Sequence, residues 1–326
     1  MAGLWSSLKR GALLAAAFAT IGQPAFAAGD GIAPAPAPSQ TQAQAQARAQ
    51  RPPRPAIWLV EDDDTKIYLF GTVHAFPASL QWRSPALERV ISEADELVME
   101  TPDASTAEMF DNERLFRPMM MGKSVPILSR VSPEARPALQ AVLEATPLPI
   151  EAYDEMHIWA VAFLLQGFML TQAYAEGGEP VAMSGAEEEL GGIFRKSRRP
   201  ISGVETVEGQ IAVFANMPID AQRRFLESTV LGDPSQDTAE TNGVPMTDDG
   251  WVTGDVEAIA AEMQQMAPEL YDALLIRRNR NWTGWLARRM ERPGTVLFAV
   301  GAGHLAGPDS VQRMLAERGI VARRVD

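Results

Sequence analysis

Short apolar runs alternate with helical stretches over residues 57–326, and this alternation constrains the fold more than any other feature of the sequence. The runs have the β-branched and aromatic composition of strands, and the stretches between them have the spacing of apolar residues that is typical of helices. Strands that alternate with helices usually form a largely parallel sheet with helices on its faces. We therefore predict an α/β fold with a mostly parallel central sheet.

The order of these segments predicts the elements of the fold. Residues 57–60 and 66–70 form a β-hairpin around the acidic turn at 61–64. A mainly helical insertion occupies about 104–180, and residues 232–250, which are rich in Asp, Thr, Pro and Gly, form a mobile loop. The remaining strands are predicted at 97–99, 201–204, 295–300 and 321–325, and further helices at 85–94, 187–196, 208–215, 220–231, 255–290 and 309–318.

The N-terminus has the three parts of a cleavable secretory signal. A basic stretch that ends at Arg10 precedes a short apolar run at 11–19 and a small-residue cleavage site at 25–27. The apolar run is shorter than the roughly 20 residues that a membrane span needs. We predict a signal peptide at 1–27, a periplasmic or secreted mature protein, and no stable membrane anchor after cleavage. Residues 28–56, rich in Pro, Ala and Gln, are predicted to form a disordered linker before the folded domain at 57–326.

Composition excludes several classes of site and partner. The 326 residues include no cysteine, which rules out thiolate catalysis, Cys-ligated zinc and iron–sulfur clusters. A formal net charge of −13 repels phosphate groups, so we expect no nucleic-acid partner. The chain has only 3 histidines, and any metal must be held by His, carboxylate or water.

Two of the three histidines stand in the same sequence context. An apolar strand runs into Gly-x-x-His twice, from Gly71 to His74 and from Gly301 to His304. Glycine lets the backbone turn off the sheet, and ligands of open α/β sheets bind beyond the carboxyl ends of the strands. We therefore expect both histidines at one rim of the sheet.

Two glutamates, Glu100 and Glu205, directly follow the predicted strands at 97–99 and 201–204. If these strands run parallel to the histidine strands, the carboxylates join the two histidines in one pocket. Two imidazoles and a carboxylate can hold Mn, Fe, Co or Zn with open positions for water, or they can act as a base and its orienting group without a metal. The third histidine, His157, precedes an apolar helix and has no partner in sequence, which favours a structural role.

Five motifs occur in a consistent order along the folded part of the chain. They are Gly71-Thr72-Val73-His74, Val98-Met99-Glu100, Gly203-Val204-Glu205-Thr206 with Gln210, Arg278-Asn279-x-x-Trp282, and Gly301-Ala302-Gly303-His304-Leu305-x-Gly307. Together they resemble the TraB/GumN family, which is related to the animal TIKI proteins. The resemblance implies an exported hydrolase-like fold of the erythromycin-esterase (EreA) and ChaN type, built from duplicated β/α halves.

The resemblance also implies roles for these residues. TIKI members are metal-dependent proteases, and His74, His304 and Glu100 match the positions of the metal or catalytic centre. Glu205 matches the central motif, and Arg278 matches a family arginine that is suited to binding an anionic group. Outside these five, Glu187 matches a Gly-x-acid step in which Asp is frequent and His157 has no counterpart, so neither receives a role.

Three hypotheses follow. The first is a metal-dependent hydrolase that cleaves a peptide or amide bond in a peptide or small-molecule substrate. His74, His304 and Glu100 bind the divalent ion (Mn, Co, Fe or Zn) or its water. In it, Glu205 acts as base or supporting group, and Arg278 stabilises negative charge. The second is a metal-independent, esterase-like hydrolase with histidine as general base. The third is a binding protein that holds heme or a peptide without turnover. The sequence leaves the substrate, the metal and the oligomeric state open.

Overall fold

The computed structural model describes residues 52–102, 116–122, 124–173, 181–231 and 246–326. The predicted signal peptide, most of the predicted linker and most of the predicted loop at 232–250 lie outside the described residues. None of the described helices is long and apolar enough to cross a membrane.

The described strands form one large sheet and one small one. They are β1 (Ile57–Glu61), β2 (Thr65–Thr72), β3 (Phe76–Pro77), β4 (Glu96–Met99), β5 (Met183–Ser184), β6 (Ile201–Gly203), β7 (Gly294–Gly301) and β8 (Arg323–Arg324). The large sheet has the order β6-β4-β7-β2-β1-β8, and β3 pairs with β5. The pairs β2–β7, β7–β4 and β4–β6 are parallel, whereas β1 is antiparallel to β2 and β8. The structure thus confirms the α/β fold, the mostly parallel sheet and the β1–β2 hairpin.

Helices cover the sheet and form a further layer beside it. They are α1 (Pro85–Glu93), α2 (Arg136–Ala145), α3 (Ile150–Asp154), α4 (Ile158–Ala173), α5 (Ala186–Lys196), α6 (Val207–Ala215), α7 (Ile219–Leu231), α8 (Met246–Thr253), α9 (Val256–Met263), α10 (Pro268–Tyr271), α11 (Arg277–Arg289) and α12 (Val311–Ala316). A π-helix (Asp272–Ile276) joins α10 to α11 in one continuous helical segment, and a short 3-10 helix (Ala302–Leu305) follows β7.

Both faces of the central strands are buried. In β7, Leu297 and Ala299 pack with α1, α5 and α9 on one side of the sheet. Val296, Phe298 and Val300 pack with α11 and α12 on the other side. Strands that are covered on both faces have continuous apolar sequences, which explains why β7 shows no polar alternation.

The helical layer has a core of its own. Its buried side chains include Leu139 and Leu143 of α2, Trp159 of α4, and Phe225 and Leu226 of α7. The helices of the predicted insertion therefore share one core with α6 and α7, and the helical layer extends beyond the predicted insertion.

The long helix predicted at 255–290 is broken in the structure. The helix α9 ends at Met263, and a new helical segment begins at Pro268. Proline has no N–H to donate to the preceding turn, so it favours the first position of a helix over an interior one. At the C-terminus, α12 and β8 are shorter than the segments predicted at 309–318 and 321–325.

Part of the predicted loop at 232–250 is helical, because α8 begins at Met246. A tertiary contact holds this segment. The buried Trp251 donates from Nε1 to the carbonyl of Gly71 at 2.7 Å, and its ring centroid lies 5.4 Å from those of both Phe76 and Trp82. Such a contact cannot be inferred from local composition, which is rich in turn-forming residues.

The start of α5 lies against the segment that follows β2. The N–H of Ala186 donates to the carbonyl of Val73 at 3.0 Å. A Cβ atom on Gly185 would lie only 2.4 Å from the carbonyl oxygen of His74, so only glycine permits this approach. The approach places Glu187, on the first turn of α5, beside His74.

We expect Gly185→Ala to lower the free energy of unfolding by about 1–3 kcal/mol, because the methyl group must displace backbone. The matched control is Gly192→Ala in the same helix, where nothing lies within 4 Å of the added Cβ. That control should be neutral or stabilising by up to about 1 kcal/mol. Urea denaturation of the purified variants measures both, and equal stability of the two would contradict the close approach.

Candidate functional site

Parallel pairing brings the sequence-predicted side chains to one edge of the sheet. The strands β2 and β7 are paired over their full length, so His74 and His304 follow at the same edge. The strand β4 runs parallel to β7 beside it, and β6 runs parallel to β4. These strands place Glu100 and Glu205 at the same edge. Arg278 reaches this edge from α11.

A cavity of about 320 Å³ opens at this edge. His74, Glu100, Arg278 and His304 contribute to its lining, whereas Glu205 contacts Arg278 without being part of the lining. Most of the remaining wall is apolar and includes Phe214, Trp251, Ile259, Met263, Met266 and Leu275. The volume is at the lower end of the range of small-molecule sites.

The guanidinium of Arg278 joins the two glutamates. Its Nε and Nη2 each donate to Glu205 at 2.9 Å, and Nη2 also donates to Glu100. Its Nη1 donates to the carbonyl of Leu274 and faces Nε2 of His304, both at 3.2 Å. Every nitrogen of this guanidinium therefore has an acceptor within the protein.

Glu100 is buried and held by several donors. Besides Arg278, it accepts hydrogen bonds from Nε2 of Gln210 at 2.9 Å and from the backbone N–H of Gly301 at 2.8 Å. Burial alone would raise the pKa of Glu100, but the attraction of the His304 ring, which is charged only at acidic pH, and of Arg278 outweighs burial and holds the pKa at about 2. The carboxyl group is therefore ionised at neutral pH.

The tautomer of His304 follows from its neighbour Asn279. The amide nitrogen of Asn279 donates to the carbonyl of Asp309 at 2.8 Å, so the amide oxygen faces the ring and lies 2.6 Å from Nδ1. Nδ1 thus carries the proton, and Nε2 accepts from Arg278. Burial lowers the pKa of His304 to about 3, which keeps the ring neutral at pH 7. Since the ring is neutral, Arg278 provides the positive charge next to Glu100.

Three residues of the Arg278-Asn279-x-x-Trp282 motif contact the site from one stretch of α11. Nε1 of Trp282 donates to Glu205 at 2.9 Å, and its ring centroid lies 4.3 Å from that of His304. Trp282 follows Asn279 by three residues and Arg278 by four, and these are the spacings at which side chains are neighbours on a helix surface. The motif therefore acts as a unit that holds both Glu205 and His304.

His74 forms a separate pair with Glu187. Its Nδ1 lies 2.8 Å from Oε1 of Glu187, and that oxygen also accepts from the hydroxyl of Thr72 at 2.6 Å. The His74 side chain is 77% exposed, and among the described residues no hydrogen-bond partner is found for its Nε2. The carboxylate of Glu187 raises the pKa of His74 above its ordinary value, although water around the ring screens the attraction.

The residues predicted as metal ligands, His74, His304 and Glu100, are not arranged as a metal site. Arg278 contacts Glu100 and faces Nε2 of His304, while His74 is paired with Glu187. Within the part of the chain that the structure describes, no group of three or more His, Asp or Glu side chains is placed to hold a metal ion. The donor atoms therefore do not fit a metal while Arg278 is in place, and the metal assignment stays a prediction.

The sequence predicts no role for two residues that the structure places at the site, Glu187 and Thr72. Glu187 stands directly after Gly185-Ala186, and Thr72 lies within the first Gly-x-x-His motif. His157 does not line the cavity; its backbone N–H donates to the carbonyl of Met119 at 2.9 Å. The apolar wall residues Phe214, Trp251, Ile259, Met263, Met266 and Leu275 lie outside the five motifs.

A family model described as the TraB/PrgY/gumN family matches residues 56–324. The match confirms the resemblance that the five motifs suggested. No curated protein and no solved structure matches the chain. The likeness to the erythromycin-esterase and ChaN fold, and the duplication of β/α halves, stay predictions.

We expect nitrogen-15 NMR to show His304 as a neutral ring with its proton on Nδ1 from pH 7 down to about pH 4, because burial lowers its pKa to about 3. His74 should titrate above its ordinary range in the same spectra, since Glu187 stabilises the charged ring. Substitutions of each of the 3 histidines assign the signals. A His304 ring that becomes charged near pH 6 would contradict the burial and the tautomer.

We expect Trp282→Phe to cost about 1.5–3 kcal/mol of unfolding free energy, because it removes a hydrogen bond to the Glu205 carboxylate. Trp285→Phe is the matched control, since Trp285 lies on the same helix and stacks on Phe298. Thermal and urea denaturation compare the two variants. Equal losses would show that the indole N–H contributes nothing beyond packing.

Proposed function

The chain belongs to the TraB/PrgY/gumN family, and on this premise we propose that it is a hydrolase in which His74 activates a water molecule with the help of Glu187. The observation that supports this proposal most is the pairing of an exposed imidazole with a carboxylate at the mouth of a cavity. Nδ1 of His74 lies 2.8 Å from Glu187, and Nε2 faces no partner among the described residues. A base that is oriented by a third group is the usual arrangement for general base catalysis.

The chemistry follows from this pair. Neutral His74 donates Nδ1–H to Glu187, and its Nε2 takes a proton from water while the water oxygen attacks the carbonyl carbon of an ester or amide. Glu187 stabilises the imidazolium that forms and is not itself protonated. When the carbon bond to the leaving group breaks, the imidazolium returns the proton to that group. The hydroxyl of Thr72 keeps Glu187 in position throughout.

Glu100, Glu205 and Arg278 have a supporting role in this proposal. Because each nitrogen of Arg278 already has an acceptor, the guanidinium holds the rim and does not bind substrate. His304 is likewise held by Asn279 and Arg278. The catalytic roles that the resemblance implies for these groups remain predictions.

The apolar wall of the cavity favours a peptide or small molecule with an apolar group next to the scissile bond. Met263, Met266 and Leu275 line the cavity from the segment that leads into α11. Export to the periplasm or the medium is part of the proposal and rests on residues 1–27 alone.

The test is hydrolysis of a library of esters, amides and apolar peptides by the full chain in the presence of EDTA. We expect His74→Ala to lower kcat by about 10²–10⁴-fold, the usual contribution of a general base. His157→Ala is the matched histidine control and should keep full activity. Activity that EDTA abolishes and that Zn²⁺ or Mn²⁺ restores would instead support the metal-dependent hypothesis.

Glu187→Gln removes the negative charge beside His74 but keeps a side-chain oxygen that can accept from Nδ1. The variant therefore separates the effect of the charge on His74 from the orientation of its ring. The carboxylate raises the pKa of His74, so the neutral base forms at higher pH in the natural protein than in the variant. We expect lower kcat and an acidic limb of the pH profile that moves to lower pH. Glu188→Gln, the exposed neighbour on the same helix, is the control and should change neither. A limb that stays in place would contradict the role of the pair.

The apolar wall also supports a second candidate, a binding protein without turnover. Methionine side chains such as Met263 and Met266 adapt to ligands of different shape. Saturable binding of an apolar peptide, or an absorbance band on addition of heme, would support this candidate if no product forms.

A further inference from the structure

We infer that Arg278 is the built-in cation of this site: its guanidinium occupies the position between Glu100, Glu205 and His304 that a divalent ion would need, and its removal turns the cluster into a metal site. The inference goes beyond the proposed function, since it concerns metal affinity and requires no substrate.

The donor atoms of the cluster converge on the guanidinium. One nitrogen, Nη2 of Arg278, contacts Oε2 of Glu100 and Oε2 of Glu205, the latter at 2.9 Å. The adjacent Nη1 lies 3.2 Å from Nε2 of His304, whose lone pair points to it. Two carboxylate oxygens and one neutral imidazole nitrogen form a donor set that suits Mn²⁺, Fe²⁺ or Zn²⁺.

Charge decides which cation the cluster holds. The side chains of Arg278, Glu100 and Glu205 are only 12%, 9% and 17% exposed, so their charges interact with little screening by water. Two carboxylates and one guanidinium leave a single negative charge. A divalent ion placed beside Arg278 would meet its positive charge at contact distance, and Arg278 therefore excludes it. Without Arg278, two neighbouring buried carboxylates would require a proton or a cation.

The surroundings hold the donors in place independently of Arg278. The backbone N–H of Gly301 binds Oε1 of Glu100 at 2.8 Å. Nε1 of Trp282 binds Oε1 of Glu205 at 2.9 Å, and Asn279 fixes the tautomer of His304 in which Nε2 is free to coordinate. Partners of this kind orient metal ligands in metalloproteins. These contacts keep the three donor groups close together when the guanidinium is removed.

The experiment is calorimetric titration of the tag-free full chain with ZnCl₂ at pH 7.5, followed by desalting and elemental analysis. We expect Arg278→Met, which removes the charge and keeps much of the volume, to bind one equivalent of Zn²⁺ at least about tenfold more tightly than the natural protein. Adding Glu100→Gln to that variant should abolish the gain. Arg278→Lys keeps a cation in the cluster and should show no gain.

Arg277→Met is the matched control, because this neighbouring arginine is 71% exposed and pairs with Asp272 outside the cluster. It should leave zinc affinity unchanged. A folded Arg278→Met variant that gains no zinc would overturn the inference.

Circular dichroism and thermal melting establish folding. If Arg278→Met does not fold, zinc titration of the natural protein is the test. Binding of one equivalent of zinc that is lost in Glu100→Gln or His304→Ala would overturn the inference, and no zinc binding at this cluster would support it. Neither result depends on hydrolysis, which the His74 variants test separately.

Discussion

The parallel pairing of β2 with β7 is the interaction on which the rest of the structure depends. It runs from Thr65 opposite Gly294 to Thr72 opposite Gly301, and it places two chain segments that are more than 200 residues apart side by side. Both faces of this pair are buried, so a shift by one residue would turn the apolar side chains to the wrong faces. The register that the core requires therefore also sets the relative positions of the two histidines.

The two halves of the site differ in their physical character. The cluster around Arg278 is buried and charge-compensated, and its donors and acceptors are used within the protein. The pair of His74 and Glu187 is open to water and leaves one ring nitrogen without a partner among the described residues. The buried cluster is rigid because its hydrogen bonds are satisfied within the protein, whereas the His74–Glu187 pair is accessible to substrate. Rigid supporting residues keep reactive side chains of this kind in their productive geometry.

How much could be predicted from the sequence depends on the range of the interactions. The succession of strands along the chain followed from strand composition, and the gathering of His74, His304, Glu100 and Glu205 followed from the rule that parallel strands end at one edge. The order of the strands within the sheet did not follow. The partners of these side chains did not follow, because Glu187 reaches His74 through a close approach of Gly185 that no local pattern encodes. The role of Arg278 as an internal ion-pair partner likewise depends on helix packing, which sequence spacing alone does not determine.

The π-helix at Asp272–Ile276 has a consequence for how sequences of this kind can vary in length. Each π-turn holds one residue more than an α-turn, so this segment contains the one residue that a plain α-helix would not need. Loss of one residue there would convert the segment to α-helix and leave α11 facing the same direction. An insertion or deletion within α11 would rotate Arg278, Asn279 and Trp282 away from the rim together. Within this helical segment, the π-turn is therefore the place where a change of one residue is compatible with an intact site.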